Sequence, residues 1–419
     1  MASTSAETKR HLELDGLRGF AVMGILAMNI VGFAMPFMAY MSPVVYGGTD
    51  PADLWAWFIA YVLFDGKMRG LFSLLFGASM MLIITRAEEK GANPASVHYS
   101  RMAWLAFFGL AHFYFIWFGD ILFLYAVAGA VVFLFRKLEP QKLIVLALVI
   151  YAAYFLVMAG GMGSIYILEG AANAPGAGAE AVRQYREVIA GFEAGPDDMA
   201  KQLAVHQGSW AGIVADKFEN ELFYPLSLIA SNIGETLALM LLGMAFYKTG
   251  FLLGEKPAAT YRNWAILGLG LGGVSFVVIG LYVWSTGFDL LDTMNAALAW
   301  TVPGRLLMTI GYASALVLLI QRFGHSGFIA RVVAAGRAAF TNYLGTSIAM
   351  TTIFYGYGLG LFGEVGRAEL YLFVIGAWIV MLLWSKPWLT RYRYGPFEWL
   401  WRSLARRQLQ PMRRLNAPV

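Results

Sequence analysis

Apolar runs of about 20 residues recur along almost the whole 419-residue chain, and that is the length a helix needs to cross a bilayer core roughly 30 Å thick. They fall at 18 to 40, 69 to 85, 101 to 118, 120 to 136, 142 to 160, 222 to 248, 264 to 284, 297 to 321, 338 to 360 and 368 to 385. The spacing predicts an all-α polytopic integral membrane protein with about ten transmembrane helices, a single membrane domain over residues 1–419. Hydrophobic residues make up 59% and charged residues 14%, against about 45–50% and 25% in soluble domains. A soluble enzyme and a nucleic-acid-binding domain are thereby excluded, and nucleic acid is not an expected partner.

The basic residues sit between the runs and orient them. With the N-terminus cytoplasmic, the loops carrying Arg86, Lys90 and Arg101, then Arg136, Lys137 and Lys142, then Lys248, Lys256 and Arg262, then Arg322, Arg331 and Arg337 all fall inside. About 23 of the 31 Lys and Arg are then cytoplasmic, as the positive-inside rule demands. Both termini are predicted cytoplasmic, and the N-terminal segment reads as a retained signal anchor. The stretch from Asp53 to Asp65 is too short to span and reads as an interfacial or re-entrant helix on the outer side. Residues 161–221 form the one long outer loop, with nine acidic residues against four basic. The start of that loop is rich in small residues and reads as flexible; Val182 to Glu219 has periodicity for one or two short helices, as a cap or an acidic solvated loop. The tail, 386–419, interleaves eight basic residues with Trp388, Trp399 and Trp401, and reads as an anchor on anionic cytoplasmic lipid.

The absence of cysteine rules out disulfides, thiol nucleophiles and Cys-ligated zinc, and five dispersed histidines point to no metal site. There is no P-loop, HExxH or GxSxG. The glycine run at 267 to 273 lies inside an apolar span with no strand before it, so Gly268 and Gly272 read as helix packing.

Ionisable residues inside spans carry the chemical information, because each costs about 2.5–3.5 kcal/mol on insertion scales. His112 lies about six residues from the outer end of the third span, so about 9 Å deep. Asp120 opens the fourth span, and the tight turn WFGD makes the two helices an antiparallel hairpin, within reach for a base and its orienting carboxylate. The plainer alternative for His112 is an interhelical hydrogen bond. Glu235 falls near the middle of the sixth span, with Arg305 as partner from the outer half of the eighth, in a structural ion pair or a substrate site. Asn29 sits mid-span in the first helix, Asn342 and Tyr343 in the inner part of the ninth, and Asp15 and Arg18 at the cytoplasmic entrance. By depth, Arg18, Asn342, Asn29, Glu235, Arg305, His112 and Asp120 run from inner to outer face and would line a polar path if their faces converge. Arg69 is a further outer-side charge, for an anionic group or for snorkelling to the interface.

Six ordered segments resemble the YeiB-like family of bacterial inner-membrane proteins: LDGLRGFAVMGILAMNI at 14 to 30, KMRGLFSLLFGASM at 67 to 80, GLAHFYFIWFGDILFLYAVAG at 109 to 129, ETLALMLLGMAFYKTG at 235 to 250, GRAAFTNYLGTSI at 336 to 348 and YGPFEWLWRSL at 394 to 404. The enlarged loop from 161 to 221 departs from that pattern. The resemblance implies a multi-helix membrane fold distantly similar to transmembrane acyltransferases, which take an acyl group from cytosolic acyl-CoA and deliver it to an acceptor across the bilayer. In that similarity the D-x-L-R-G pattern falls on Asp15, Leu17, Arg18 and Gly19, and a membrane-embedded His is the acyl-transfer residue.

Two functions follow as expectations. In the first, acyl transfer, His112 oriented by Asp120 activates an acceptor, or itself carries the acyl group. Asp15, Arg18, Arg331 and Arg337 would hold the acyl-CoA donor, acetyl-CoA foremost, while Asn29, Arg69, Glu235, Arg305, Asn342 and Tyr343 line the substrate path, and no metal is needed. The acceptor would be a small molecule, a glycan or a lipid, with membrane lipids as further partners. In the second, a solute or lipid transporter or flippase, the same path conducts and Glu235 couples protons. Small-residue faces at Gly356 and Gly360 permit a homodimer as well as contacts within one chain.

Overall fold

The computed structural model describes residues 11–193, 195–324 and 326–414. Among them the chain is helical apart from turns and one isolated bridge between Tyr392 and Arg413. The first hairpins are built from α1 (Leu12–Ala34), α2 (Phe37–Met41), α3 (Pro51–Leu63), α4 (Lys67–Glu89), α5 (Pro94–Phe115) and α6 (Leu122–Val132), the last continued by a 3₁₀ turn at Phe133–Phe135. The long α7 (Pro140–Ala172) leads to a group of three short helices, α8 (Ala179–Ala190), α9 (Pro196–His206) and α10 (Trp210–Asn220). The remainder comprises α11 (Tyr224–Lys248), α12 (Ala258–Ser285), α13 (Leu290–Asn295) with a π turn at Ala296–Trp300, α14 (Val302–Phe323), α15 (Gly327–Arg337), α16 (Ala339–Phe354), α17 (Arg367–Arg391) and α18 (Pro396–Ala405).

Among the described residues, seven stretches are long and apolar enough to cross a membrane: α1, α3 with α4, α7, α11, α12, α14 and α17. Three of them turn rows of large apolar side chains outward, such as Leu148, Leu156 and Val157 on α7, Leu271 and Val278 on α12, and Leu372, Ile379 and Leu383 on α17. An apolar surface this extensive belongs against lipid. The chain is thus a multi-pass membrane protein. The stretches expected at 101 to 118, 120 to 136 and 338 to 360 do not meet that measure. They are α5, which carries His98, Arg101 and His112, and the shorter α6 and α16, of 11 and 16 residues.

The bundle is held by close backbone approaches. In the α12–α14 contact, Cβ atoms added at Gly268 and Gly272 would come within 2.4 Å of Leu307 O and 3.0 Å of Gly304 O, so these glycines let two helices touch backbone to backbone. The segment expected as an interfacial or re-entrant helix is α3, which packs on α12 and α17, burying Trp57 and Tyr61, and turns into α4 at Gly66 with φ of 72°.

The segment expected as a loop at 161–221 is mostly helical. Its first dozen residues extend α7, and three helices follow, forming a cap that seats on the ends of α5 and α16. Trp210 Nε1 donates to Phe115 O at 2.9 Å, and Gly356 N donates to His206 O at 2.8 Å, so Gly356 serves a contact within the chain. His206 stacks on Phe362 at 4.5 Å, and burial lowers its pKa to about 4. Lys217 of α10 lies over the Phe113 ring at 4.7 Å, lowered by burial to about 8. At the opposite end α18 lies beneath α5 and α16. Glu398 there accepts from Phe340 N and Thr341 N at 2.7 and 3.0 Å, capping α16, and burial raises its pKa. The N-terminal residues 1–10 of the expected signal anchor and the last five of the tail lie outside the described residues.

Candidate functional site

Two buried polar centres are assembled near α6. The first is the turn between α5 and α6. Gly109 lies three residues before His112, and a Cβ there would come within 2.4 Å of Phe123 N and 2.9 Å of Asp120 Oδ2, so only glycine lets the helices meet closely. The approach seats His112 Nδ1 3.0 Å from Asp120 Oδ1, both residues buried. The other carboxylate oxygen accepts from Phe123 N at 2.8 Å, so the first turn of α6 holds Asp120 in place. With Nδ1–H donating to Asp120, the neutral ring presents its lone pair at Nε2. That nitrogen is buried and has no hydrogen-bond partner among the described residues.

Aromatic rings wall the imidazole. Tyr343 lies 5.2 Å away between ring centroids, and Trp117 lies 6.3 Å away. Trp117 is fixed by donating to Gly32 O at 3.1 Å and by stacking on Phe33 at 3.9 Å. Tyr343 donates to Gly119 O at 3.3 Å. The depth order expected from sequence, with Tyr343 well inside of His112, is therefore corrected: α15 occupies the end of the bundle before α16 starts, so Tyr343 sits level with the imidazole. His98, outside the span expected at 101 to 118, lies in the same helix as His112, because α5 begins at Pro94. It is a packing residue, its Nε2 2.9 Å from Gly129 O and its ring stacked on Phe133.

The second centre is a carboxylate between two guanidinium groups. Glu235 on α11 receives Arg69 of α4 at 2.6 Å and Arg305 of α14 at 3.0 Å to each oxygen. Arg69 also donates to Asn232 Oδ1 at 2.6 Å, and Arg305 to Ala297 O and Thr301 Oγ1 at 2.9 and 3.1 Å. Tyr151 on α7 closes the cluster, 3.5 Å from Glu235 and 2.8 Å from Val302 O. Arg69 is thus turned inward to an ion pair, not outward to the interface. The backbone at Arg69 touches α6 through Tyr125, whose hydroxyl reaches Arg69 O at 3.1 Å and Ser73 Oγ at 2.8 Å.

The remaining residues singled out in the sequence are spread through the bundle. Asn342 binds α16 to its neighbours, donating to Ala335 O at 3.0 Å and Ser385 Oγ at 3.3 Å and accepting from Trp384 Nε1 at 2.9 Å, so its side chain is fully used in packing. Asn29 is half-buried on α1, and its side chain makes no hydrogen bond among the described residues. Arg18 pairs with Asp15 at 2.9 Å and donates to Ser79 Oγ at 2.8 Å. Arg331 donates to Leu382 O at 3.1 Å, and α15, which also carries Arg337, crosses the first turns of α1. These four residues occupy one end of the bundle. Among the described residues, no three His, Asp or Glu converge as metal ligands would. Asn232, Tyr151, Tyr125 and Gly109 escaped the sequence reading: helical spacing from Glu235 points to Asn232, and a glycine one turn before a membrane histidine points to Gly109.

A family model described as "Protein of unknown function (DUF418)" matches residues 246–408. The chain is 30% identical to the uncharacterized protein YeiB of Escherichia coli over 96% of this chain and 98% of that one. It is 31% identical to the uncharacterized protein YxaH of Bacillus subtilis, over 95% of each. An uncharacterized 39.9 kDa protein from the amylase 3' region of Bacillus acidopullulyticus is 23% identical over 93% of this chain and 92% of its own. No solved structure matches. A multi-pass helical bundle, with near full-length likeness to these bacterial proteins, makes the chain a member of the YeiB-like family.

Proposed function

We propose that this protein is a transmembrane acyltransferase that moves an acyl group from cytosolic acyl-CoA to an acceptor on the other face of a bacterial inner membrane. The observation that carries the reading is the His112–Asp120 pair: an imidazole oriented through Nδ1, with Nε2 buried and unspent. Such a nitrogen takes the proton of an attacking hydroxyl or amine as the acceptor adds to the thioester carbonyl, then returns it to the departing CoA thiolate. In the covalent variant Nε2 itself attacks the thioester and the acyl-imidazole is then passed to the acceptor. Asp120 holds the ring and stabilises the imidazolium in both. Arg18, Arg331 and Arg337 lie at the end assigned to the cytoplasm and would meet the donor's phosphates. About ten membrane crossings, with the more polar α5 and the shorter α6 and α16 added to the seven long apolar stretches and both termini inside, complete the topology we assign.

The transporter reading draws on Glu235, but a carboxylate clamped by two guanidinium groups is poorly suited to take up and release protons. The test is to incubate purified protein with radiolabelled acetyl-CoA in liposomes. Release of free CoA, or label retained on the protein, supports acyl transfer; absence of donor binding at millimolar concentration contradicts it.

A further inference from the structure

Between α1, α2, α3, the π turn and α17 lies a cavity of about 50 Å³ that neither polar centre uses. Three buried polar atoms on residues that line it have no partner among the described residues: Tyr61 Oη, Thr293 Oγ1 and Arg367 Nε. Their residues are 6%, 4% and 2% exposed. Tyr40, Tyr371 and the carboxylate of Asp65 also line it and make no side-chain hydrogen bond among the described residues. Buried polar groups are almost always satisfied, so this many on one cavity mark a place where something else supplies the partners.

The donor and acceptor inventory narrows what that is. Asp65 only accepts, Arg367 only donates, and the three phenols and Thr293 do both. A cation would meet the Arg367 guanidinium, and an anion would meet Asp65. A neutral group carrying several hydroxyls answers all of them at once. The aromatic wall suits its C–H face: Trp57 and Tyr61 are stacked at 5.0 Å. At about 10–15 Å³ for each water-sized occupant, the space takes about four, the reach of a three- or four-carbon chain.

We propose that this cavity binds a small uncharged polyol of glycerol or tetritol size, taken free or as the head group of a membrane lipid. The assignment is independent of the acyl-transfer chemistry, and it survives if His112 proves inert.

Saturation-transfer NMR with erythritol, on the full chain in a detergent lacking a sugar head, tests it. Tyr61→Phe and Thr293→Val remove one hydroxyl each and keep the shape; neither loses a side-chain hydroxyl bond within the protein, so both are expected to fold as the parent does. The expected result is transfer to erythritol that glycerol competes away and that each variant weakens about tenfold, one hydrogen bond's worth. Repeating the measurement in nanodiscs separates the sources. Displacement of erythritol by phosphatidylglycerol but not phosphatidylcholine assigns a lipid head group, and persistence of binding in both assigns a free polyol. No transfer in detergent together with no lipid dependence, as for a cavity filled by water alone, overturns the proposal. So does transfer that neither variant changes.

Discussion

The His112 pair and the Glu235 triad are both buried, both adjoin α6, through Asp120 and Phe123 in one case and through Tyr125 and Arg69 in the other, and they are opposite in design. Around Glu235 both carboxylate oxygens are paired, and of the triad's buried donors Arg305 Nε alone lacks a partner among the described residues, the bonds running across α4, α7, α11 and α14. Around His112 the carboxylate is fully used and the imidazole is half used. A carboxylate locked between two guanidinium groups specifies how long helices pack, whereas an oriented base with a spare lone pair can act on something else. The helices differ accordingly. The triad sits on long apolar spans, and the pair sits where α5, α6 and α16 come together as short or polar helices under the cap.

Four results would break or sharpen that contrast. The largest is expected at His112: His112→Gln should lower acyl transfer by about 10²- to 10⁴-fold, the contribution of a positioned general base, with little change in thermal stability. A matching loss of stability would make His112 a packing residue. Next, Glu235→Ala should destabilise the bundle by about 3–5 kcal/mol, because it strands two buried guanidinium groups; thermal unfolding in detergent measures it. A stable Glu235→Ala protein would remove the structural role assigned to the triad.

Gly109→Ala should cost about 1–3 kcal/mol, as overpacking does, and should also reduce transfer, since the new Cβ strikes Phe123 N and Asp120 Oδ2. Paired measurements of melting temperature and donor turnover check both halves. The smallest effect is a local pH dependence at the cap. The docked His206 imidazole stays neutral down to about pH 4, whereas a released one protonates near its ordinary value of about 6.5. Between those values the released state binds more protons, so docking weakens as pH falls through the window and is fully present above it. Hydrogen exchange in α9 and at 355–363 should quicken over that range, and His206→Phe should flatten the response.

The membrane class and helical architecture were legible because hydropathy reports directly on what a segment can be buried in. The α5–α6 hairpin was legible too, since the six residues between Phe115 and Leu122 leave two helices no choice but to lie side by side. Arg305 and Glu235 could be paired because an unpaired charge in a span is too costly to leave alone. Tyr343 could not be placed from sequence, because estimating depth by counting residues assumes every helix starts at a membrane surface. Here α15 separates α14 from α16, and α16 starts inside the bundle. The role of Asn342 was hidden for another reason: an amide in a span looks the same whether it lines a path or, as here, bonds Ala335, Ser385 and Trp384. The periodicity over 182 to 219 predicts one or two helices because its apolar positions are few, while the breaks at Gly191 to Gly195 and at Gly208 divide the segment into three.

The most direct test of the central claim is single-turnover transfer from radiolabelled acetyl-CoA in proteoliposomes, comparing the parent chain with His112→Gln and with Glu235→Gln. The account predicts CoA release by the parent, loss of about 100-fold or more in His112→Gln with folding intact, and a rate in properly folded Glu235→Gln within a few-fold of the parent. A His112→Gln protein that turns over donor at the parental rate would contradict it.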